Sequence, residues 1–167
     1  MITYITQNGI KILHQMIDKA SKELDEIRKK KSVAYSLSGD GWHDNPEFVS
    51  LEQAEQRKAL EIAELNSKLA DAVICNIETR NTSQVQIGSI VHFSRFYLND
   101  NTESENIFEI VGFGEADVKQ GKISYESPVA RDILGLEIGE TKKAKTPKGP
   151  VEYEIIELYP NWEMVKQ

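Results

Sequence analysis

The feature that most constrains this chain is a heptad seam near its start. Ile10, Leu13, Ile17, Ala20, Leu24, Ile27 and Ala34 follow one another in alternating steps of three and four, with Lys31 the single break. The positions between are mostly Lys, Glu, Asp and Gln. That spacing keeps the apolar residues on one stripe of a helix, and the stripe needs a second helix to cover it. Thr6 suits the cap of this helix, because its hydroxyl can accept from the free N–H groups of the first turn. The pattern stops between Tyr35 and Pro46, where Gly39, Gly41, Pro46 and several short polar residues cannot continue a helix cheaply. Pro46 fits the first turn of a new helix, with Asn45 as its cap. A second helix is therefore expected from Glu47 to Ile77, carrying Leu51, Ile62, Leu65, Leu69 and Ala72 on one stripe. Two long helices joined by a short break pack antiparallel. At 1.5 Å per residue the hairpin should reach roughly 45 Å. Its seam weakens near the turn, where Lys31, Glu55 and Lys58 intrude, so the tip is expected to stand exposed without a core. An oligomerising coiled coil is the plain alternative, but a parallel zipper has no use for glycines and a proline at its centre.

Beyond Asn76–Ser83 the pattern changes. Short apolar runs rich in Val, Ile, Phe and Tyr predict strands at Ser89–Phe96, Ile107–Val111, Lys122–Tyr125, Lys142–Thr146 and Val151–Leu158. Val151 to Ile156 alternates early and then becomes fully apolar, as a strand half covered by a helix does. Pro147–Pro150 reads as a turn. Pro128–Leu134 reads as a short helix with Ser127 as its cap. The fold class is α+β: a helical hairpin over residues 1–77 with an acidic tip near 38–47, then a small β-rich domain over residues 84–160.

Composition narrows the function. The formal charge of -7 argues against independent binding to a nucleic-acid backbone, which needs a basic footprint. Cys75 is the only cysteine, so no internal disulfide forms, and the surrounding Leu69, Ala72, Val73 and Ile74 mark it as a small core residue. No basic-then-apolar leader and no bilayer-length apolar run is present, so a cytoplasmic protein is the expectation; separately, the chain is expected to act as a monomer.

The chemically notable segment is Gly39–Phe48, which carries Asp40, Asp44 and Glu47 at the end of a long lever. Mg²⁺ wants octahedral oxygen ligation and sheds water reluctantly, so these carboxylates alone make a poor metal site. They make sense as metal ligands where another protein supplies the rest, and as a solvated turn otherwise. No bound cofactor is expected in the free protein. His43, without another histidine or cysteine nearby, reads as an exposed imidazole. Trp42 is either a contact for a partner or nucleotide, or it packs over Leu37 and Phe48 to close the tip.

Lys119 to Gly135, through Ile123-Ser124, Ser127-Pro128, Ala130-Arg131 and Leu134-Gly135, closely resembles the stretch "ISxxSPxARxLLG" of the Gre family of bacterial transcription factors. Ile138-Gly139-Glu140, Thr146-Pro147-Lys148-Gly149 and Val151 to Ile155 continue the likeness. Ile5-Thr6-Gln7-Asn8-Gly9 with Leu13 is similar to the family's opening "MTxxGxxxL", and the tip to its "GDLxENAEY". The resemblance implies an FKBP-like C-terminal domain, without isomerase activity, docking at the rim of the secondary channel of bacterial RNA polymerase. Ser127 and Pro128 match the loop that faces the rim. The hairpin then enters the channel, and two acidic tip residues help hold Mg²⁺ at the polymerase active centre, where the polymerase cleaves its own backtracked RNA. Carried over, Asp40 matches the first acid and Asp44 the glutamate before Asn. The chain itself would be an accessory factor rather than an enzyme, meeting the RNA 3′ end only indirectly.

Three departures stand out. Gly41-Trp42-His43 places one more residue between the acids than the family has, and the second acid is Asp, one methylene shorter than Glu. The family's basic residues near the tip are replaced by Tyr35-Ser36-Leu37 and Glu52, with Arg57 further back. A relative that occupies the channel and inhibits, or a hairpin module for another partner, are the alternatives.

Overall fold

The computed structural model describes residues 2–77 and 80–166, the side chains of Asp40 and Lys166 excepted. It divides into two compact units, Met1–Thr3 with Ile10–Ala72 and Tyr4–Gly9 with Val73–Gln167.

The first unit is built on α1 (Gln7–Ser38), a 3-10 segment (Gly39–Asp44) and α2 (Pro46–Ala70). Leu13, Ala20, Leu24 and Ala34 are buried and Ile10, Ile17 and Ile27 half-buried, so the seam is the inner face of α1. The polar residues that interrupt it are not gaps. Lys58 Nζ meets Glu23 Oε2 at 2.7 Å, and Lys31 Nζ meets Glu55 Oε2 at 2.8 Å. Arg28 Nε also donates to Glu55, at 2.9 Å. Residues later in α1 thus pair with residues earlier in α2, which makes the hairpin antiparallel. Lys31 and Arg28 beside Glu55 hold its carboxyl below the usual range, and Lys58 does the same for Glu23.

Two expectations change here. α2 ends at Ala70 rather than Ile77. Asp71 leaves helical geometry at φ -89 and ψ 10, and Ala72–Ile74 forms a strand, β2, paired with β1 (Thr3–Ile5). Val73 and Ile74 are β-branched and fit a pleated strand better than a helix end, and a pairing partner from the chain start was not legible in the local pattern. Cys75 is half-buried rather than a core residue, its N–H donating to Ile5 O at 2.8 Å.

The second unit carries β3 (Ile90–Tyr97), β4 (Thr102–Val111), β5 (Lys122–Ser124), α3 (Pro128–Ile133), β6 (Thr141–Thr146) and β7 (Gly149–Tyr159). One five-stranded sheet has the order β5-β4-β3-β7-β6, antiparallel except for β4 with β5. Its core joins Val91, Phe93, Ile110, Ile123, Tyr153 and Ile155 to Ala130 and Ile133 of α3. β4 starts five residues before the expected Ile107, because polar Thr102–Asn106 pairs along β3 as far as Tyr97. Register, not hydrophobicity, extends it. The switch from alternating to apolar in β7 has a local cause: the register with β3 shifts between His92 and Phe93, His92 facing Glu157 and Phe93 facing Ile155. This bulge leaves Ile156 as the extra residue, so the buried positions step from Ile155 to Leu158.

Gly9 shows why the opening motif needs glycine. A Cβ there would lie 2.7 Å from Ile5 Cγ1 and 3.0 Å from Phe113 O. Thr6 caps the helix as expected, its Oγ1 accepting from Gly9 N at 3.0 Å while donating to Glu115 Oε1 at 2.7 Å.

Candidate functional site

The tip is built by three local devices. Asn45 has extended backbone (φ -84, ψ 109), and its Oδ1 accepts from Glu47 N at 2.9 Å and Phe48 N at 3.4 Å. Its Nδ2 reaches back to Ser38 Oγ at 2.5 Å and Ala34 O at 3.5 Å, tying the start of α2 to the end of α1. Gly39 turns the chain with φ 54, the left-handed region that glycine enters without strain. Pro46 occupies the first helical turn, where no N–H is needed.

The third device is an aromatic cluster that the heptad seam did not reveal. Phe48 is 6% exposed. The Trp42 ring meets it edge-on at 4.9 Å, Tyr35 lies 6.2 Å away, and Lys31 Nζ sits 5.4 Å over its face. The tip therefore has a small core of its own, contrary to the expectation of an uncored end. Burying Phe48 is worth about 1.5–3 kcal/mol and each aromatic pair about 0.5–1.5 kcal/mol more. Trp42 packs over Phe48, one of its two anticipated partners. Leu37, the other, is 82% exposed, and Tyr35 takes its place at 6.0 Å from the indole. His43 is exposed and stacks on Trp42 with ring centroids 3.3 Å apart.

Asp44 and Glu47 lie on this surface, both exposed. The Asp44 carboxylate makes no hydrogen bond or ion pair with any described residue, so it is available to an outside ligand. The Asp40 side chain lies outside the described residues. Among the described residues no three His, Cys, Asp or Glu side chains gather as a metal site. One open carboxylate suits a shared oxygen-ligated cation, not an autonomous site.

Ser127 and Pro128 sit at the start of α3. Ser127 Oγ accepts from Ala130 N at 3.2 Å, which is the capping role, and Pro128 is exposed at the first helical position. A buried polar node lies elsewhere in the same unit. Glu109, 5% exposed, accepts from Arg80 Nη2 at 2.6 Å and Trp162 Nε1 at 3.0 Å, and Arg80 Nε donates to Gly88 O at 2.8 Å. A glutamate inside the apolar run Phe108-Glu109-Ile110-Val111 was the sequence signal for it, since a buried charge requires a partner.

No helix among the described residues is long and apolar enough to cross a membrane. The family described as transcription elongation factor, GreA/GreB, C-terminal, matches residues 80–160. The chain is 31% identical over 154 residues to the transcription elongation factor GreA of Beijerinckia indica, covering 92% of this chain and 95% of that protein. It is 30% identical over 158 residues to GreA of Allorhizobium ampelinum, covering 95% and 96%. Among solved structures, GreA factor homolog 1 (Gfh1) of Thermus thermophilus is 24% identical, with 95% of this chain and 99% of that chain covered and a TM-score of 0.43. With relatives of this identity over nearly its whole length, the chain belongs to the GreA/GreB family of transcription elongation factors.

Proposed function

We propose that this chain is an accessory factor of bacterial RNA polymerase that promotes the polymerase's own cleavage of backtracked RNA. The sheet unit docks at the rim of the secondary channel, with Ser127 and Pro128 at the contact, and the hairpin enters the channel. α1 has 32 residues, about 48 Å of helix, enough to carry a side chain well away from a docking surface.

The observation that carries the reading is the open carboxylate of Asp44 on an otherwise well-closed tip. A turn held by Asn45 and Phe48 needs no unpaired acid at its surface. Asp44, with Asp40, would supply oxygen ligands to Mg²⁺ in a site that the polymerase completes. An ion held there activates water and balances charge developing in phosphoryl transfer. Asp44 and Asp40 orient that ion, while the aromatic cluster and the Asn45 bonds hold the loop between them in one conformation. The polymerase is the enzyme, and the RNA 3′ end is met only through its active centre. A factor acting this way works as a monomer in the cytoplasm.

A second reading has its own support. From Ser32 to Gln56 the chain has no lysine or arginine, and one extra residue separates the two acids relative to the family pattern. Positioning of a shared ion tolerates errors of only about half an ångström. A tip so altered would fill the channel and slow transcription.

Cleavage by stalled, backtracked complexes separates the two. Wild-type factor is expected to accelerate cleavage, and Asp40→Asn and Asp44→Asn to abolish the acceleration while binding to polymerase persists. Slowed cleavage or elongation that the same substitutions relieve would establish the inhibitory reading instead. If neither substitution changes anything, the acids are a solvated turn.

A further inference from the structure

A protein can hold a nucleic acid by its phosphates or by its bases. Phosphate contacts require cations, but the net charge is -7, the stretch from Ser32 to Gln56 is free of lysine and arginine, and Lys31 and Arg28 just behind it are paired with Glu55. Exposed Asp44 and Glu47 further repel phosphate. What the tip does present is rings. Trp42 is half-buried and seated edge-on against Phe48 at 4.9 Å, with Tyr35 at 6.0 Å. His43 lies over it at 3.3 Å, tilted by 34°, and is itself exposed. Asn45 bonds both Ser38 and the first turn of α2, and Trp42 seats on Phe48, so the exposed His43 stacked on the indole is left over once the turn is closed.

We propose that the Trp42–His43 pair is a stacking platform for a nucleobase, namely the unpaired base at the 3′ end of extruded RNA. The inference rests on the polymerase reading above. Every base has a π face, and stacking on aromatic side chains is tolerant of sequence and needs no cation. The platform is anchored beneath by a 6% exposed phenylalanine, so little side-chain freedom is lost when a base arrives. In the chain the pair lies between Asp40 and Asp44, so a base held there is brought to the two carboxylates. Such a tip replaces phosphate grip by base grip, and its hold on RNA is insensitive to salt.

The test uses backtracked complexes of bacterial RNA polymerase whose extruded RNA ends in 2-aminopurine, a fluorescent base quenched by stacking. Docking is followed separately, by the anisotropy of factor labelled at its N-terminus. Wild-type factor should quench the fluorescence saturably, and the quench per docked factor should not fall as salt rises. Trp42→Phe should keep it, whereas Trp42→Ala and His43→Ala should lose it. Replacing the terminal nucleotide by an abasic one should weaken the wild-type factor's binding to the backtracked complex about tenfold. That arm needs no substitution, so a damaged tip cannot mimic it. Docking without quenching, or equal binding to abasic and normal RNA, overturns the proposal and leaves the rings as a closure of the tip. Absence of docking by the wild-type factor overturns the polymerase reading, and this inference with it.

Discussion

Replacing Arg80 by Ala should destabilise the sheet unit by stranding a buried carboxylate. Arg80 Nη2 lies 2.6 Å from Glu109 Oε1, and the two side chains are 19% and 6% exposed. The same guanidinium bonds Gly88 O at 2.8 Å and Pro160 O at 3.4 Å, so it joins the start of the unit to both the sheet and the segment after β7. Without it, Glu109 keeps one described partner, the Trp162 indole at 3.0 Å. Breaking a buried pair by removing one partner costs about 3–5 kcal/mol, mostly the penalty of the stranded charge. The surviving indole bond and the partial exposure of Arg80 place the loss near the lower end, about 3 kcal/mol. That corresponds to a fall in melting temperature on the order of 15 °C for a unit of this size. The chain has two tryptophans, so a Trp42→Phe background leaves Trp162 as the sole tryptophan, inside the node being tested. Urea unfolding followed by its emission reads the sheet unit directly. The combined Arg80→Met and Glu109→Leu variant should recover much of the loss, because no charge is then left buried. A loss below about 1 kcal/mol for Arg80→Ala, the range of an exposed pair, would refute the reasoning.

The ion pairs across the hairpin set a pH limit. Glu55 and Glu23 are held below the ordinary carboxylate range, so their stabilisation is complete above that range and disappears as pH falls through their depressed values. Helical circular dichroism should therefore show acid loosening of the hairpin, and Glu55→Gln should flatten that acid limb; identical acid profiles would remove the network from the account. Asn45→Ala should cost the hairpin about 1–2 kcal/mol, seen in thermal melts, and Asn45→Asp less, because it keeps the cap. A neutral result for Asn45→Ala would mean that the aromatic cluster alone holds the tip. Calorimetry of the free protein with millimolar Mg²⁺ should give no saturable heat, and a tight stoichiometric site would sink the shared-ion mechanism.

The hairpin was legible because its rules are local. Steps of three and four from Ile10 to Ala34, the Asn45-Pro46 start signal and the glycines before it are each settled within a turn or two of helix. Ser127 and Pro128 announced α3 for the same reason, and Ile90–Tyr97 could be read from its run of strand-forming residues. The acid Asp44 could be singled out by its neighbours, though its lack of a partner among the described residues could not.

What the tertiary structure decided are the pairings between residues distant in sequence. Lys31 and Lys58 look like flaws in a seam until Glu55 and Glu23 are brought opposite them by the antiparallel fold. Ala72–Ile74 continues a helix by its apolar content and becomes a strand because β1 is there to pair with it. Phe48 continues the α2 stripe one step before Leu51, but Trp42 and Tyr35, which lie outside the heptad spacing, join it only because the turn folds them onto it. Glu109 is a misplaced charge in sequence and a satisfied one in space, since its partners lie 29 and 53 residues away. Backbone preference and periodicity act over a few residues, whereas a charge or a ring is stabilised by whatever the closed fold places beside it.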